Sequence, residues 1–269
     1  GTVVVCTGLV IGVGSMVAST NGAISDWIQT TVVGDLFITA PVAFPDDFAE
    51  RAEAVPGVDV ASGVKITAVR FLQDENDRRG RAIALVLVDP ARFDPEDGFG
   101  RFQYIPGEGD DLSAYQALLA GEVLVANTMK DRYGVRTGDS IQLRTTDGFA
   151  PFEVAGVVVD FTGGGEAVVG SINQLELFGG GNPDLYIVTV LAGVEQQVVR
   201  ERLAAAFPEL GLDITLNEDY RRYIMEITNQ AFATTRVLLF IAVLVAALAV
   251  ANTLGMNLDN RDHEIAVLR

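Results

Sequence analysis

The strongest constraint in this chain is a run from Val237 to Leu258, VLLFIAVLVAALAVANTLGMNL, in which 22 consecutive residues carry no charge. A helix of that length rises about 33 Å at about 1.5 Å per residue, enough to cross the hydrocarbon core of a bilayer. Between residues 237 and 254 stand five Leu, four Val, one Ile and one Phe. At roughly −0.3 to −0.6 kcal/mol each they favour insertion by about 3 to 7 kcal/mol, and Asn252, near one end, opposes this weakly. Buried helices of soluble cores rarely stay uncharged for so long, so the run predicts a membrane span over 237–258.

The first 25 residues are also uncharged, up to Asp26. Eight Val, Leu or Ile between positions 3 and 18 favour insertion by about 2 to 5 kcal/mol before Gly, Ser and Thr subtract from it, which predicts a weaker span over 1–24. A cleaved signal peptide would carry a basic leading region, and there is none here. With no Met start either, the sequence is expected to be a piece of a longer chain. Gly8 and Gly12 have small-xxx-small spacing, which lets another membrane helix approach closely. Trp27, just beyond, suits an interfacial aromatic anchor.

Two spans leave everything between them on one side. That middle region holds 33 acidic and 17 basic residues before position 237, out of a formal net charge of −17 for all 269 residues. So acidic a surface excludes nucleic acid and disfavours anionic headgroups as partners for it. The overall apolar content of 49% and mean hydropathy of +0.31 fit a globular body plus two spans. Cys6 is the single cysteine, so no disulfide can form within the chain.

Within the middle region an order of elements occurs twice. GDLFITAP (34–41), DDFAERAEAVPG (46–57) and VDVASGVKITAVRFL (58–72) read strand, helix, strand, with acids at the positive end of the helix and Pro56-Gly57 closing it. DLYIVTVLAG (184–193), VEQQVVRERLAAAFPEL (194–210) and GLDITL (211–216) repeat that order. Two such β-α-β units can pair into one split layer with a domain inserted between them. The insertion reads as a strand over 81–90, an acidic loop over 93–112 punctuated by Gly and Pro, a strand over 122–126, a short helix over 127–133, and strands over 140–145 and 151–160. Residues 219–236 continue toward the apolar run as a stalk helix with an apolar stripe of Tyr220, Tyr223, Ile227 and Phe232.

Residues for chemistry are scarce. His263 is the only histidine and follows the second span, which excludes Ser-His-Asp, Cys-His and H-E-x-x-H sites in the middle region. Gly163–Gly165 and Gly179–Gly181 lack the Gly-Lys-Ser/Thr of a phosphate loop and read as mobile turns. Acidic groups such as Asp74, Glu75 and Asp77, or Glu108, Asp110 and Asp111, match no EF-hand spacing and read as solvated loops.

From Arg261 the chain reads RDHEIAVLR, with Arg261 and Glu264, and Ile265 and Leu268, each at i, i+3, so a helix here has a charged side and an apolar side. An apolar span ending in N-x-L and followed by R-x-x-E-I-A-V-L-R, over Asn252 to Arg269, resembles the second membrane helix and cytoplasmic coupling helix of FtsX-like (MacB-type) ABC transporter permeases. The paired β-α-β units resemble the porter-like half of the MacB-type periplasmic domain. GEVLVAN, YGVRTGDSIQL and FEVAGVVVD resemble its second subdomain.

The resemblance implies an α+β extracytoplasmic domain, a split β-α-β porter-like layer with an inserted mixed-β subdomain, flanked by two transmembrane α-helices. The expected divisions are a first span over 1–24, the first porter-like half over 26–80, the insertion over 81–182, the second half over 183–218, the stalk over 219–236, the second span over 237–258 and the start of the coupling helix over 259–269. It implies a non-catalytic permease subunit of the cell membrane that binds no cofactor of its own. ATP would be held by a partner ABC ATPase seated on Arg261, Glu264, Ile265, Leu268 and Arg269. A second permease copy or homologous half, membrane lipid and a periplasmic or cell-wall protein complete the expected partners. Motion driven by ATP would pass to the outer domain and export or extract a lipoprotein, lipid, peptide or drug. The alternative is a membrane-tethered binding or regulatory module that recruits a wall-modifying enzyme or senses a ligand without transport.

Overall fold

The computed structural model describes residues 2–31, 33–72, 79–93 and 101–267, with many side chains of the two terminal helices outside that description. In chain order the elements are α1 (Thr2–Thr31), β1 (Leu36–Thr39), α2 (Phe48–Glu53), β2 (Val58–Leu72), β3 (Arg81–Val88), α3 (Asp111–Ala120), β4 (Val123–Ala126), α4 (Asn127–Tyr133), β5 (Ser140–Thr145), β6 (Gly148–Val158), β7 (Ala167–Ser171), β8 (Leu185–Val190), α5 (Gln196–Ala206), β9 (Asp213–Leu216) and α6 (Asn217–Val267). They fall into two compact units, Trp27–Arg221 and, separately, Gly1–Asp26 with Arg222–Arg269.

In the Trp27–Arg221 unit the strands form one mixed sheet in the order β3-β7-β4-β6-β5-β2-β8-β1-β9, with a further pairing of β3 to β2. That extra pairing closes β2, β3, β7, β4, β6 and β5 into a ring, which leaves these six strands no free edge. Most neighbours are antiparallel, but β3 with β7 and β4 with β6 run parallel. The other three strands, β8, β1 and β9, join β2 in the order β2-β8-β1-β9, antiparallel throughout, and with α2 and α5 these four make the split β-α-β layer that the sequence echo predicts.

β2 belongs to both parts. Its 15 residues pair with β8 from Val58 to Val64, with β3 from Val64 to Phe71, and with β5 at Phe71 and Leu72. The division expected at residue 80 therefore falls after a strand that the layer and the ring share.

Period-2 alternation sends Leu36 and Ile38 of β1 and Val188 of β8 into the layer's core, where they meet Val199 and Leu203, one turn apart on α5. Phe48 of α2 is fully buried there among Phe44, Tyr186 and Phe207, with ring centroids 4.6, 4.6 and 4.8 Å away. The ring encloses its own core of Leu85, Leu87, Val125, Leu143 and Val157, plugged by Met129 of α4. α3 and β7 lie where the sequence reading placed no element. α3 is capped by Asp110, whose side chain accepts from Ser113 N at 3.0 Å, and stops at Gly121 in the left-handed region with φ 94°.

The acidic loop does specific work at Glu108. Its carboxylate accepts hydrogen bonds from Lys130 Nζ at 2.6 Å, Thr137 N at 3.1 Å and Thr137 Oγ1 at 3.0 Å, tying the loop to α4 and to the turn before β5. The hydrogen bond from Lys130, then those from Thr137, pull the carboxyl down from 4.5 to about 2. Gly163 and Gly165, expected as part of a mobile turn, are instead packed: a Cβ built on them would stand 2.6 Å from the Ala84 side chain and 2.9 Å from Thr128 Oγ1. Only glycine permits that approach at φ 61° and 86°.

Among the described residues no helix is long and apolar enough to cross a membrane. The side chains from Asn252 onward, at the end of the predicted second span, lie outside the described residues.

Two measurements test this packing. Phe48→Ala is expected to lower the unfolding free energy by about 3 to 5 kcal/mol in urea, while Val42→Ala, at an exposed position, changes it by about 0.5 kcal/mol or less. Because Glu108 is more acidic folded than unfolded, its contribution is complete above 4.5 and is lost as pH falls toward about 2. The urea midpoints of wild type and Glu108→Gln are therefore expected to differ at about pH 6, to draw together below 4.5 and to converge by about pH 2. A gap that stays constant would remove Glu108 from the account.

Candidate functional site

Alternate residues of three strands, Ser62 and Val64 on β2, Val86 and Val88 on β3, and Leu185 and Ile187 on β8, line a cavity of about 130 Å3. Val169 of β7 and Phe37 of β1, whose ring faces away from the layer's core, complete much of the apolar wall. Phe37 stacks on Tyr220 at 4.2 Å, and Trp27 meets Phe161 edge-on at 5.7 Å; both Tyr220 and Trp27 line the same space. Trp27, expected as an interfacial anchor, is instead half-buried in the folded body.

Polar groups reach this apolar space from Trp27, Ser62, Arg101, Asp160, Thr162 and Tyr220. Asp160 is 5% exposed and accepts from Thr162 N at 2.6 Å in a short local turn. Burial pushes its carboxyl up toward the neutral form, against the hydrogen bonds of Thr162. Ser62 Oγ and Trp27 Nε1 are buried and have no hydrogen-bond partner among the described residues. An unsatisfied buried donor or hydroxyl costs about 1 to 3 kcal/mol, so two beside one cavity mark it as unusual.

A second polar cluster has a structural role. Glu166 is 7% exposed and takes hydrogen bonds from Arg81 Nε at 2.6 Å, from Arg132 and from Tyr133 Oη at 3.2 Å. Burial pushes its carboxyl up, but the hydrogen bonds from Arg81 and Arg132 more than offset that and leave it below its ordinary value. The cluster joins the starts of β3 and β7 to α4. Elsewhere the acids are spent on local ties: Asp184 binds Lys65 Nζ at 2.7 Å, and Arg92 is held by Glu53, by Glu50 at 3.2 Å and by Asp89 at 3.0 Å. Among the described residues no group of His, Cys, Asp and Glu is arranged to hold a metal ion. Asp74, Glu75 and Asp77 lie outside the described residues.

The residues expected to meet other helices or an ATPase belong to the other unit. A Cβ built at Gly8 or Gly12 meets no described atom within 4 Å. Arg261, Glu264 and Ile265 fall within α6, but their side chains lie outside the described residues, as do Leu268 and Arg269 altogether. The cavity itself went unseen in the sequence reading. Asp160, at the end of an expected strand, had only one outward signal, an acid followed two residues later by Thr162.

The chain matches the MacB-like periplasmic core domain family over residues 1–206. It is 25% identical, over 97% of its length, to an uncharacterized ABC transporter permease protein of Mycobacterium tuberculosis, and it spans 31% of that protein's length. Its fold is similar to that of the periplasmic region of MacB from Actinobacillus actinomycetemcomitans, at 13% identity and TM-score 0.51, covering 73% of this chain and 95% of that one. It is also similar to the extracellular domain of the noncanonic ABC-type transporter YknZ from Gram-positive bacteria, at 14% identity and TM-score 0.50, covering 68% of this chain and 98% of that one. This chain belongs to the MacB-like periplasmic core domain family, and with it to the MacB/FtsX-like ABC transporter permeases.

Proposed function

We propose that this chain is the stretch of an ABC transporter permease comprising a first membrane span, an outer domain, a second span and the start of a coupling helix, and that it passes ATP-driven motion of a cytoplasmic ATPase to the outer domain. The observation that carries this reading is the 22-residue charge-free run that follows the family domain. Several described side chains in that run support it, since Leu238, Phe240 and Leu248 are apolar and 61%, 66% and 66% exposed. Apolar side chains standing in a row without protein cover are at home in hydrocarbon rather than in water. α6 is one helical element from Asn217 to Val267, so the segment leaving β9 and the apolar run belong to one helix.

In this reading the domain of Trp27–Arg221 lies outside the cytoplasm and Arg261 to Arg269 lies inside it. Ile265 and Leu268 seat in the ATPase, where full burial of each contributes about 1.5 to 3 kcal/mol, and Arg261, Glu264 and Arg269 orient the contact. Gly8 and Gly12 receive another membrane helix, from a second permease copy or a homologous half. The ATPase holds the nucleotide, and this chain makes and breaks no bonds. The cargo is a lipoprotein, lipid, peptide or drug moved or extracted mechanically, with no solute path needed between the helices.

Replacing Ile265 and Leu268 together with Asp is expected to abolish co-purification of the ATP-binding cassette protein encoded nearby. Undiminished association would end the coupling role. Protease mapping in intact cells is expected to cut the outer domain from outside while sparing the segment after Leu258. Cleavage of both from the same face would overturn the topology.

A further inference from the structure

We infer that the cavity walled by β2, β3, β7 and β8 is a binding site for a small neutral molecule, one ring or a short aliphatic chain carrying a single hydroxyl. Its size sets the first limit. At about 130 Å3 it is close to the roughly 150 Å3 apolar cavity known to stay dry and to take up benzene, so it admits about one ring and no long acyl chain. The wall sets the second. Val64, Val86, Val88, Val169 and Leu185 offer nothing to hydrogen-bond a water, so water alone would leave most of the space unfilled.

The polar groups choose the head of the ligand. Trp27 Nε1 can only donate, so it calls for an acceptor; Ser62 Oγ can do either, and both lack a partner. Asp160 uses one oxygen to accept from Thr162 N. A hydroxyl is the smallest group that accepts from an indole N–H while donating to a carboxyl or serine oxygen. A cation would meet Arg101 at the wall and would need Asp160 ionised, which burial works against. The site therefore favours an alcohol or phenol over an amine. It does not depend on the transport reading, because every residue involved belongs to the Trp27–Arg221 unit.

Trp27 is the chain's one tryptophan, so its fluorescence reports on this cavity directly. The full chain in detergent is titrated with cyclohexanol and, in parallel, with cyclohexylammonium. A saturable change in Trp27 emission is expected for cyclohexanol, with apparent affinity about tenfold weaker for cyclohexylammonium. Val86→Phe, which fills the cavity, is expected to remove saturation, and Ser62→Ala, which deletes only a hydroxyl, to weaken binding by about tenfold. Circular dichroism checks that each variant is folded, and Ser62→Ala keeps the comparison alive should Val86→Phe misfold. A linear response that is the same in wild type and in the folded variants would overturn the site and leave water as the occupant. Equal affinity for the alcohol and the ammonium ion would overturn its preference for a neutral hydroxyl.

Discussion

The fold depends on β2 being paired along both edges. A 15-residue strand is longer than the layer needs, and the surplus is what the ring uses: β8 takes one edge as far as Val64, and β3 takes the opposite edge from Val64 onward. Where only one strand pairs with β2, side chains take some of the remaining groups: Ala61 N donates to Glu53 Oε1 and Ile66 N to Asp184 Oδ2. Sharing also makes the two parts mechanically continuous, since a strand cannot shift its register in the layer without disturbing the ring. A one-residue slip would turn Val64 and Val69 out of their cores and put Lys65 and Arg70 in their place. Register along β2 is therefore set by both cores at once.

Closure of the ring has a second consequence. Closed strands need no charged residues to block edge pairing, so the acids in this unit are free for other tasks. Many of them tie loops down. Glu108, Glu166, Asp184 and, around Arg92, Glu50 and Glu53 each hold a cation from another part of the sequence, while Asp89 holds Arg92 from three residues away. Most of these pairs are half exposed and add little individually to stability, but they set where loops begin and end. A surface this acidic is thus partly a set of local fastenings, and its net charge keeps polyanions away as a by-product.

The regular elements were readable because they obey short-range rules. Val58–Leu72, Asn127–Tyr133 and Ser140–Thr145 end where the alternation, the glycine stop and the Gly138-Asp139 turn say they should. α3 was missed because its buried side consists only of Ala114 and Leu118, too narrow to register as a stripe, although Asp110 and Gly121 mark its two ends. β7 was missed because the five small residues AVVGS, between a glycine turn and a polar turn, have no period to read. The cavity left still less trace. Its wall is drawn from residues more than 150 positions apart, and the groups that give it character, Trp27, Ser62 and Asp160, are unremarkable where they stand in the chain.

The sequence by itself determined the class of this protein: two uncharged runs with an acidic body between them, a β-α-β order stated twice, and few side chains of the types that hydrolases use. These follow from composition and local period, which survive without knowledge of what touches what. Only the tertiary structure decided that the inserted strands close into a ring, that β2 serves both the layer and the ring, and that a buried carboxyl, a hydroxyl and an indole border one apolar space. Those features are made by contacts between distant segments, and pairing across such distances depends on which surfaces exclude water together rather than on any pattern along the chain.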